Sequence, residues 1–277
     1  MRIQKLLLLS AILIVALSCT ESNEKIKEDV ILTSIQPIKS LIDSLTGNSI
    51  KSIAVIKPGW NPSTYEPTPD QLKMISKSAT YVSVGNDFIF DKIWLERFQS
   101  LNKELQVFDL SNDIKIENHD PHIWNSPILL KEIVLNLAKK LIKLYPEKHF
   151  TITQNMAVLI ERLDSIEIKF QDLFTAKKEK SFLVFHPSWF YLAKDFGLNQ
   201  IAIEDHGAEP NPADLSKIIS FAKLNGLKAI FVSPQHSKIS AQAIADEIGV
   251  EVIELNPLPD NILANFEDII SKFEKYL

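Results

Sequence analysis

Four of the six histidines in the chain stand at matching places, directly after predicted strands or in the connection that follows one. They are His122, His186, His206 and His236. Because the carboxyl ends of parallel strands meet at the edge of a sheet where ligands bind, we expect these side chains to converge. Imidazole nitrogen suits zinc, copper and nickel better than calcium or magnesium. The placement therefore predicts a transition-metal site.

The other histidines have simpler interpretations. His149 is expected to face solvent near a helix start, and His119, in HDPHIW (119–124), is expected to hydrogen-bond within its loop. Any one of His186, His206 or His236 could also be a turn residue, so the prediction depends on the shared placement of the four. The only cysteine, Cys19, lies at the N-terminus, which leaves histidine and carboxylate as donors. No G-x-S-x-G, H-E-x-x-H or phosphate-binding loop motif indicates catalysis.

The elements that would position these residues alternate between strand and helix. Eight short apolar runs bounded by turn residues predict buried strands. They are DVILTSI (29–35), KSIAVI (51–56), ATYVSVG (79–85), LQVFDL (105–110), SFLVFH (181–186), NQIAIE (199–204), LKAIFVS (227–233) and VEVIEL (250–255). Helical patterns lie between many of them, which indicates two mostly parallel sheets flanked by helices. The predicted fold class is α/β, with two lobes.

The middle of the chain contains one long helical pattern. From Phe150 to Phe174 apolar residues recur every three or four positions, and no glycine occurs between Gly85 and Gly197. One helix of this length would run roughly 37 Å, the length of a small domain. Two ordinary helices with a break would fit the same pattern, but we favour one rigid helix that joins the lobes. The predicted boundaries are an N-terminal lobe at 30–146, a linker helix at 147–179 and a C-terminal lobe at 180–277.

The first residues predict export. Two basic residues precede an apolar run at 6–18 that is too short to span a bilayer comfortably, which is typical of a secretory signal peptide. Cys19 follows directly and opens a polar, charged stretch that suits a flexible tether. We therefore expect a lipoprotein signal peptide at 1–18 and a lipidated tether at 19–29. An ordinary signal peptide with an incidental cysteine is the alternative.

Charge and hydropathy restrict the partners. The net charge is −5, from 30 basic and 35 acidic side chains spread along the chain, and no basic stripe indicates nucleic acid. No second apolar run is long enough to span a membrane, so we expect the lipid to be the only anchor. The expected location is extracytoplasmic, on a bacterial membrane.

In six segments the chain resembles the solute-binding lipoproteins of zinc and manganese ABC transporters. The segments are SIQPIKSLIDSLTG (34–47), NPSTYEPTPDQLKMISKSATYVSVG (61–85), HDPHIWNSP (119–127), FHPSWFYLAKDFGL (185–198), EPNPADL (209–215) and PQHSKISAQAIADEIGVEVIELNPL (234–258). Their order and spacing make the resemblance specific. It implies two α/β lobes joined by a long rigid helix, with one metal ion between them. It also implies transfer of that ion to a membrane permease, with no chemistry on the substrate.

The resemblance supplies two metal ligands and shows two departures. His122 occupies the histidine of the family's D-P-H motif. His186 follows the first strand of the second lobe, where histidine is typical of zinc binders and glutamate of manganese binders. Ser63 stands where the family's D-P-H-x-Y-E-P has its first histidine, and Asn256 stands where the family has an aspartate. Both are neutral oxygen donors that suit zinc poorly, and the histidine-rich loop of many zinc members is missing.

Two protein ligands are fewer than known zinc sites use, so a third donor is required. We predict His236, because relatives have an apolar residue there, and this gained histidine coincides with the one lost at position 63. His206 is the reserve donor. Ser63, Asn256 or water would complete the coordination shell.

The leading hypothesis is a monomeric, lipid-anchored protein that binds zinc in preference to manganese and serves the permease of an ABC uptake transporter. It is not expected to be an enzyme. An adhesin or interaction lipoprotein with a degenerate metal site is the alternative, because two family ligands are lost. A metal-dependent hydrolase ranks last, because no general base is identifiable near the histidines.

Overall fold

The computed structural model describes residues 28–204 and 210–277, which form two lobes that each contain a four-stranded parallel sheet. The strands are β1 (Glu28–Thr33), β2 (Lys51–Ala54), β3 (Ser78–Ser83), β4 (Gln106–Asp109), β5 (Ser181–Val184), β6 (Asn199–Ala202), β7 (Ala229–Val232) and β8 (Glu251–Glu254). The helices are α1 (Gln36–Thr46), α2 (Pro69–Ile75), α3 (Ile89–Leu101), α4 (Pro127–Leu144), α5 (His149–Ala176), α6 (Phe190–Phe196), α7 (Pro212–Leu224), α8 (Lys238–Ile248) and α9 (Ile262–Tyr276). The predicted two-lobed α/β fold is confirmed.

Both sheets follow the same winding. The N-terminal sheet has the order β2-β1-β3-β4 and the C-terminal sheet the order β6-β5-β7-β8, with every neighbouring pair parallel. The chain therefore reverses its direction of winding between β1 and β3, and again between β5 and β7. Such reversals open a crevice beyond the carboxyl ends of the strands, which is where open α/β sheets bind ligands.

Local sequence explains where several helices begin and end. The Thr68 hydroxyl accepts a hydrogen bond from the Gln71 backbone N–H, and the Gln71 side chain accepts one from the Thr68 backbone N–H. This reciprocal capping satisfies two otherwise unpaired donors at the start of α2. Helix α6 ends at Gly197, whose φ of 65° lies in the left-handed region that glycine adopts without strain.

Helix α5 joins the lobes as one unbroken helix of 28 residues, which confirms the prediction of a single long helix. It packs against α1 and α4 of the N-terminal lobe and against α9 of the C-terminal lobe. Near its end, the Phe170 ring contacts those of Phe196 and Phe266. One hydrophobic core consequently extends from the N-terminal lobe along α5 to one face of the C-terminal sheet. A smaller core covers the opposite face of that sheet.

Some sequence predictions fall outside the described residues. They are the signal peptide at 1–18, Cys19, most of the tether at 19–29, and His206. Strand β1 begins at Glu28, two residues before the predicted start of the N-terminal lobe. Within 28–204 and 210–277, no helix has the length and apolar character needed to cross a membrane.

Candidate metal centre

Three adjacent strands of the C-terminal sheet deliver three potential metal ligands to one point. His186 follows β5 by two residues, Glu204 follows β6 by two, and His236 follows β7 by four. Since β6, β5 and β7 are neighbours in the sheet, their carboxyl ends bring these side chains together. One donor atom from each lies within 4.8 Å of the other two. Among the described residues, no other cluster of three or more such side chains meets this spacing.

The two imidazole rings of this cluster share one carboxylate. Nδ1 of His186 lies 3.0 Å from Glu204 Oε2, and Nδ1 of His236 lies 3.5 Å from the same oxygen. The rings stack, with centroids 4.6 Å apart. A carboxylate that accepts the proton of one ring nitrogen leaves the other nitrogen unprotonated and available to a metal. Glu204 therefore orients the His186 ring in the way that metal-binding histidines are usually oriented, and it also lies close to the His236 ring.

The electrostatics of the cluster favour the metal-binding forms of His186 and Glu204. Burial lowers the pKa of His186, and the neighbouring rings of His122 and His236 lower it further, whereas the hydrogen bond to Glu204 raises it. The net direction favours a neutral ring. Burial also opposes ionisation of Glu204, but the hydrogen bond with His186 and the nearby His236 ring outweigh burial and bring the pKa of Glu204 to about 2. Neutral imidazole beside an ionised carboxylate is the state that binds a cation.

The N-terminal lobe contributes a third imidazole. Asp120 Oδ1 accepts hydrogen bonds from both the backbone N–H and the Nδ1 of His122, each over 2.8 Å. The His122 ring centroid lies 5.7 Å from that of His186. His122 is not a member of the 4.8 Å cluster, so the structure brings it beside the other donors without placing its nitrogen among them.

The loop that carries His122 is held by contacts with the C-terminal lobe. The buried Trp124 side chain donates a hydrogen bond from Nε1 to the Pro257 carbonyl oxygen, over 2.6 Å. The Tyr191 hydroxyl donates to the Asp120 carbonyl oxygen, over 2.9 Å. These contacts fix the loop on both sides of His122, so the position of this ring depends on both lobes.

The two positions where the family's ligands are replaced behave differently. Ser63 is exposed on the lining of the same cleft, and its backbone N–H donates to Asn61 Oδ1 over 2.9 Å. The Asn256 side-chain oxygen accepts hydrogen bonds from Gln235 Nε2, over 3.3 Å, and from the Leu258 backbone N–H, over 2.9 Å. Asn256 is thus engaged within its own lobe.

The remaining histidines that the structure describes lie apart from the cluster. The His119 side chain is 91% exposed, and its Nδ1 lies 3.1 Å from Asp87 Oδ1. His149 is the first residue of α5.

Sequence reasoning did not identify the two carboxylates that orient the rings. Glu204 could have been found, because it follows its strand by two residues just as His186 does. For Asp120 the available signal was its place two residues before His122.

The donors lie in a cleft between the lobes with a volume of about 690 Å³. Its lining combines residues after β3 and β4 in the N-terminal lobe with residues after β5 and β7 in the C-terminal lobe. Aromatic and aliphatic side chains form much of its wall, and the imidazoles share its polar part with charged, amide and hydroxyl side chains.

Comparison with known proteins also indicates a metal-binding protein with this fold. Residues 31–274 match the model of a family described as zinc-uptake complex component A, periplasmic. The zinc-binding lipoprotein AdcA of Streptococcus pneumoniae strain R6 is 26% identical over 276 residues, covering 91% of this chain and 54% of AdcA. This chain thus spans about half the length of that relative.

Two solved structures are similar over nearly their whole length. The crystal structure of ZnuA has 32% identity and a TM-score of 0.84, covering 89% of this chain and 98% of ZnuA. The laminin-binding protein Lmb of Streptococcus agalactiae, described as bifunctional with adhesin and metal-transporting activity, has 25% identity and a TM-score of 0.79. That match covers 88% of this chain and 98% of Lmb.

Proposed function

The chain belongs to the family of periplasmic zinc-uptake components, whose members are solute-binding proteins and not enzymes, and we propose that it binds zinc for an uptake transporter. The observation that supports this function is the cluster of His186, Glu204 and His236, with His122 facing it from the other lobe. A site shared by two lobes suits a protein that takes up an ion and releases it unchanged.

The proposed ligands are the Nε2 atoms of His122, His186 and His236. Each of these rings has its Nδ1 near a carboxylate, and no Nε2 has a partner among the described residues. Zinc binds imidazole nitrogen at about 2.0–2.1 Å, so two ligands of one ion lie no more than about 4.2 Å apart. Binding of zinc would therefore draw the Nε2 atoms of His186 and His236 to within that distance, and His122 would approach them from the other lobe.

This donor set favours zinc over manganese. Manganese prefers carboxylate, carbonyl and water oxygens, whereas imidazole is a common zinc ligand. The three proposed ligands are imidazole nitrogens, and the Glu204 carboxylate already interacts with two of the rings. Few oxygen donors are therefore left for manganese. His206 remains the reserve donor, and Ser63 or Asn256 remain candidates for the fourth position.

The location and partners extend the same proposal. We infer lipidation at Cys19, an extracytoplasmic location, monomeric function and transfer of zinc to the permease of an ABC transporter. The support is the signal-like N-terminus and the similarity to a relative named as a lipoprotein. The lobe boundaries proposed from the sequence, at 146/147 and 179/180, bracket helix α5.

Adhesion is a second candidate function. The observation that favours it is the absence of a histidine at position 63 together with the likeness to Lmb, which is described as an adhesin as well as a metal transporter. In that case metal affinity would be poor and an exposed surface would carry the function.

Equilibrium dialysis of the purified protein against zinc and against manganese separates the two candidates. We expect one zinc per chain and much weaker manganese binding. His186→Ala and His236→Ala should each weaken zinc binding by more than about 100-fold, because loss of an outer partner alone costs about 10–100-fold. His119→Ala and His149→Ala are matched controls that should bind like the parent, and His206→Ala should change little. Absence of stoichiometric zinc would favour the adhesin, and normal binding by His236→Ala would remove that ligand.

A further inference from the structure

The cleft is far larger than a metal ion needs. Its volume of about 690 Å³ compares with about 30 Å³ for one water molecule in the liquid. Pockets that bind small organic molecules measure about 300–1,000 Å³. The cleft therefore has the size of a small-molecule site, with the imidazole cluster on its wall.

The walls of the cleft also match an organic occupant. Phe88, Ile89, Phe190 and Leu258 line it together with the imidazoles. Apolar side chains contribute nothing to holding a bare ion, but they favour the carbon skeleton of a bound molecule. Largely apolar walls with a few convergent polar groups are the usual composition of a small-molecule site.

Unused hydrogen-bonding capacity lies in the same lining. Ser233 Oγ and Gln235 Oε1 are both buried and have no hydrogen-bond partner among the described residues. Buried polar atoms are almost always paired, so each such exception requires an explanation. A bound molecule with polar groups that small side-chain rotations bring into reach would supply the missing partners.

One cationic side chain in the lining has no ionic or hydrogen-bonding partner among the described residues. Lys92, on α3, is the only lysine or arginine lining the cleft within residues 28–204 and 210–277. Its ammonium has no ion pair or hydrogen bond among the described residues. An exposed ammonium at the edge of the cleft favours an anionic group, and a carboxylate is a form of anion that also binds zinc.

The zinc site itself leaves room for an added ligand. Three imidazoles leave one position open in a tetrahedral zinc shell. The exposed residue at position 63 lines the cleft, but it is a serine and therefore offers no imidazole for that position. A molecule in the cleft can occupy the open position and reach Lys92 with another of its groups.

From these observations we propose that the cleft takes zinc together with a small carboxylate-bearing chelator of the amino-acid type. The inference rests on the proposed function, because the chelator is held through the zinc bound by the histidines. An amine or carboxylate of the chelator completes the zinc shell, a carboxylate faces Lys92, and the carbon skeleton lies against Phe88 and Ile89.

Dialysis with two labels tests this inference, using radiolabelled zinc and carbon-labelled L-histidine as the probe chelator. We expect one L-histidine per chain when zinc is present and none when it is absent. Zinc without retained L-histidine would overturn this inference and leave the proposed function intact. Absence of bound zinc in every arm would overturn both.

Variants locate the chelator within the cleft. Lys92→Met should weaken retention of L-histidine by about tenfold, which corresponds to loss of one charge-assisted hydrogen bond of about 1.4 kcal/mol, while binding of zinc alone stays within twofold. Lys103→Met, an exposed lysine just beyond the other end of α3, is the matched control and should change neither. Ser63→His should retain zinc and exclude L-histidine by filling the open position. Undiminished L-histidine binding by both Lys92→Met and Ser63→His would contradict the proposal.

Discussion

The indole nitrogen of Trp124 donates a hydrogen bond to the Pro257 carbonyl oxygen over 2.6 Å, although the two residues are 133 positions apart and belong to different lobes. The Trp124 ring is fully buried, and its centroid lies 5.3 Å from that of His122. The histidine of the N-terminal lobe is thus aligned by a residue whose own position is determined by the C-terminal lobe.

Replacing Trp124 should affect both stability and zinc binding. Trp124→Phe keeps an aromatic ring but leaves the buried Pro257 carbonyl oxygen without its donor, which costs about 1–3 kcal/mol. We expect this loss in the free energy of unfolding by urea, together with weaker zinc binding. Trp60→Phe is the matched control, because Trp60 is 57% exposed, and it should stay within about 0.5 kcal/mol of the parent. Equal effects of the two variants would contradict the alignment role.

Asp120 should act on zinc through His122. Asp120→Ala removes the acceptor that orients the ring, and loss of such a partner lowers metal affinity by about 10–100-fold. A competition titration with a zinc-binding dye measures the change. Asp87→Ala removes the corresponding partner of the exposed His119 and should leave zinc affinity unchanged. Equal losses in the two variants would show that the effect of Asp120 is one of general charge.

The stability of the metal-free protein should depend on pH through His186. Burial lowers the pKa of this ring in the folded state, so between that value and about 6.5 the unfolded chain binds a proton that the folded protein does not. The contribution of the neutral His186 ring to the free energy of unfolding is complete above about pH 6.5. It falls as the pH decreases towards the pKa of His186 in the folded state. Urea midpoints between pH 7.5 and 5 should show this decrease. In His186→Gln the decrease should be smaller, and an unchanged slope would refute the assignment.

Ser63→His should strengthen zinc binding. The residue lines the cleft beside the cluster and is exposed, so an imidazole can be accommodated there without disturbing the core. A fourth nitrogen donor in place of solvent should raise affinity by at least about tenfold, given the preference of zinc for four ligands. Thr64→His, at the next exposed position, is the control and should not strengthen binding. A parent-like affinity in Ser63→His would place position 63 outside the coordination shell.

The lobes should move little when zinc is removed. Helix α5 is continuous across them, and the Phe170 and Phe174 rings near its end stack in the shared core, with centroids 5.8 Å apart. Rearrangement should be confined to loops around 60–66, 119–124 and 234–237, with backbone shifts of about 1 Å, as in other pre-organised sites. Small-angle scattering should give the same radius of gyration with and without zinc. A change of several ångströms would contradict this.

The alternation of apolar runs was enough to predict all eight strands and the long helix, because burial inside parallel sheets and along one helix face leaves a clear apolar pattern. The sequence pattern did not lead to a prediction of helices α3 and α4. In α3 one reason is Asp91, a fully buried carboxylate on the helix face that packs inward, where it accepts hydrogen bonds from the Ser34 and Tyr81 hydroxyls. A charged residue on the buried face interrupts the apolar pattern.

The ligands of the candidate site could be predicted from the sequence where they come directly after strands. His186 and His236 belong to adjacent strands, so their approach follows from the order of the sheet. The approach of His122 depends instead on a long loop after β4 and on side-chain contacts such as that of Tyr191 with Asp120. Contacts between side chains of distant segments leave no periodic signal in a sequence.

Among the residues that the structure describes, the chain passes from one lobe to the other through α5, and this divides the site unequally along the order of synthesis. The first half to be made contains only His122 of the proposed ligands, and one imidazole holds zinc weakly. The cluster of His186, Glu204 and His236 exists only after β7 has joined β5, near the end of the chain. Chains that end before His236 therefore lack the complete cluster and compete poorly for zinc during synthesis.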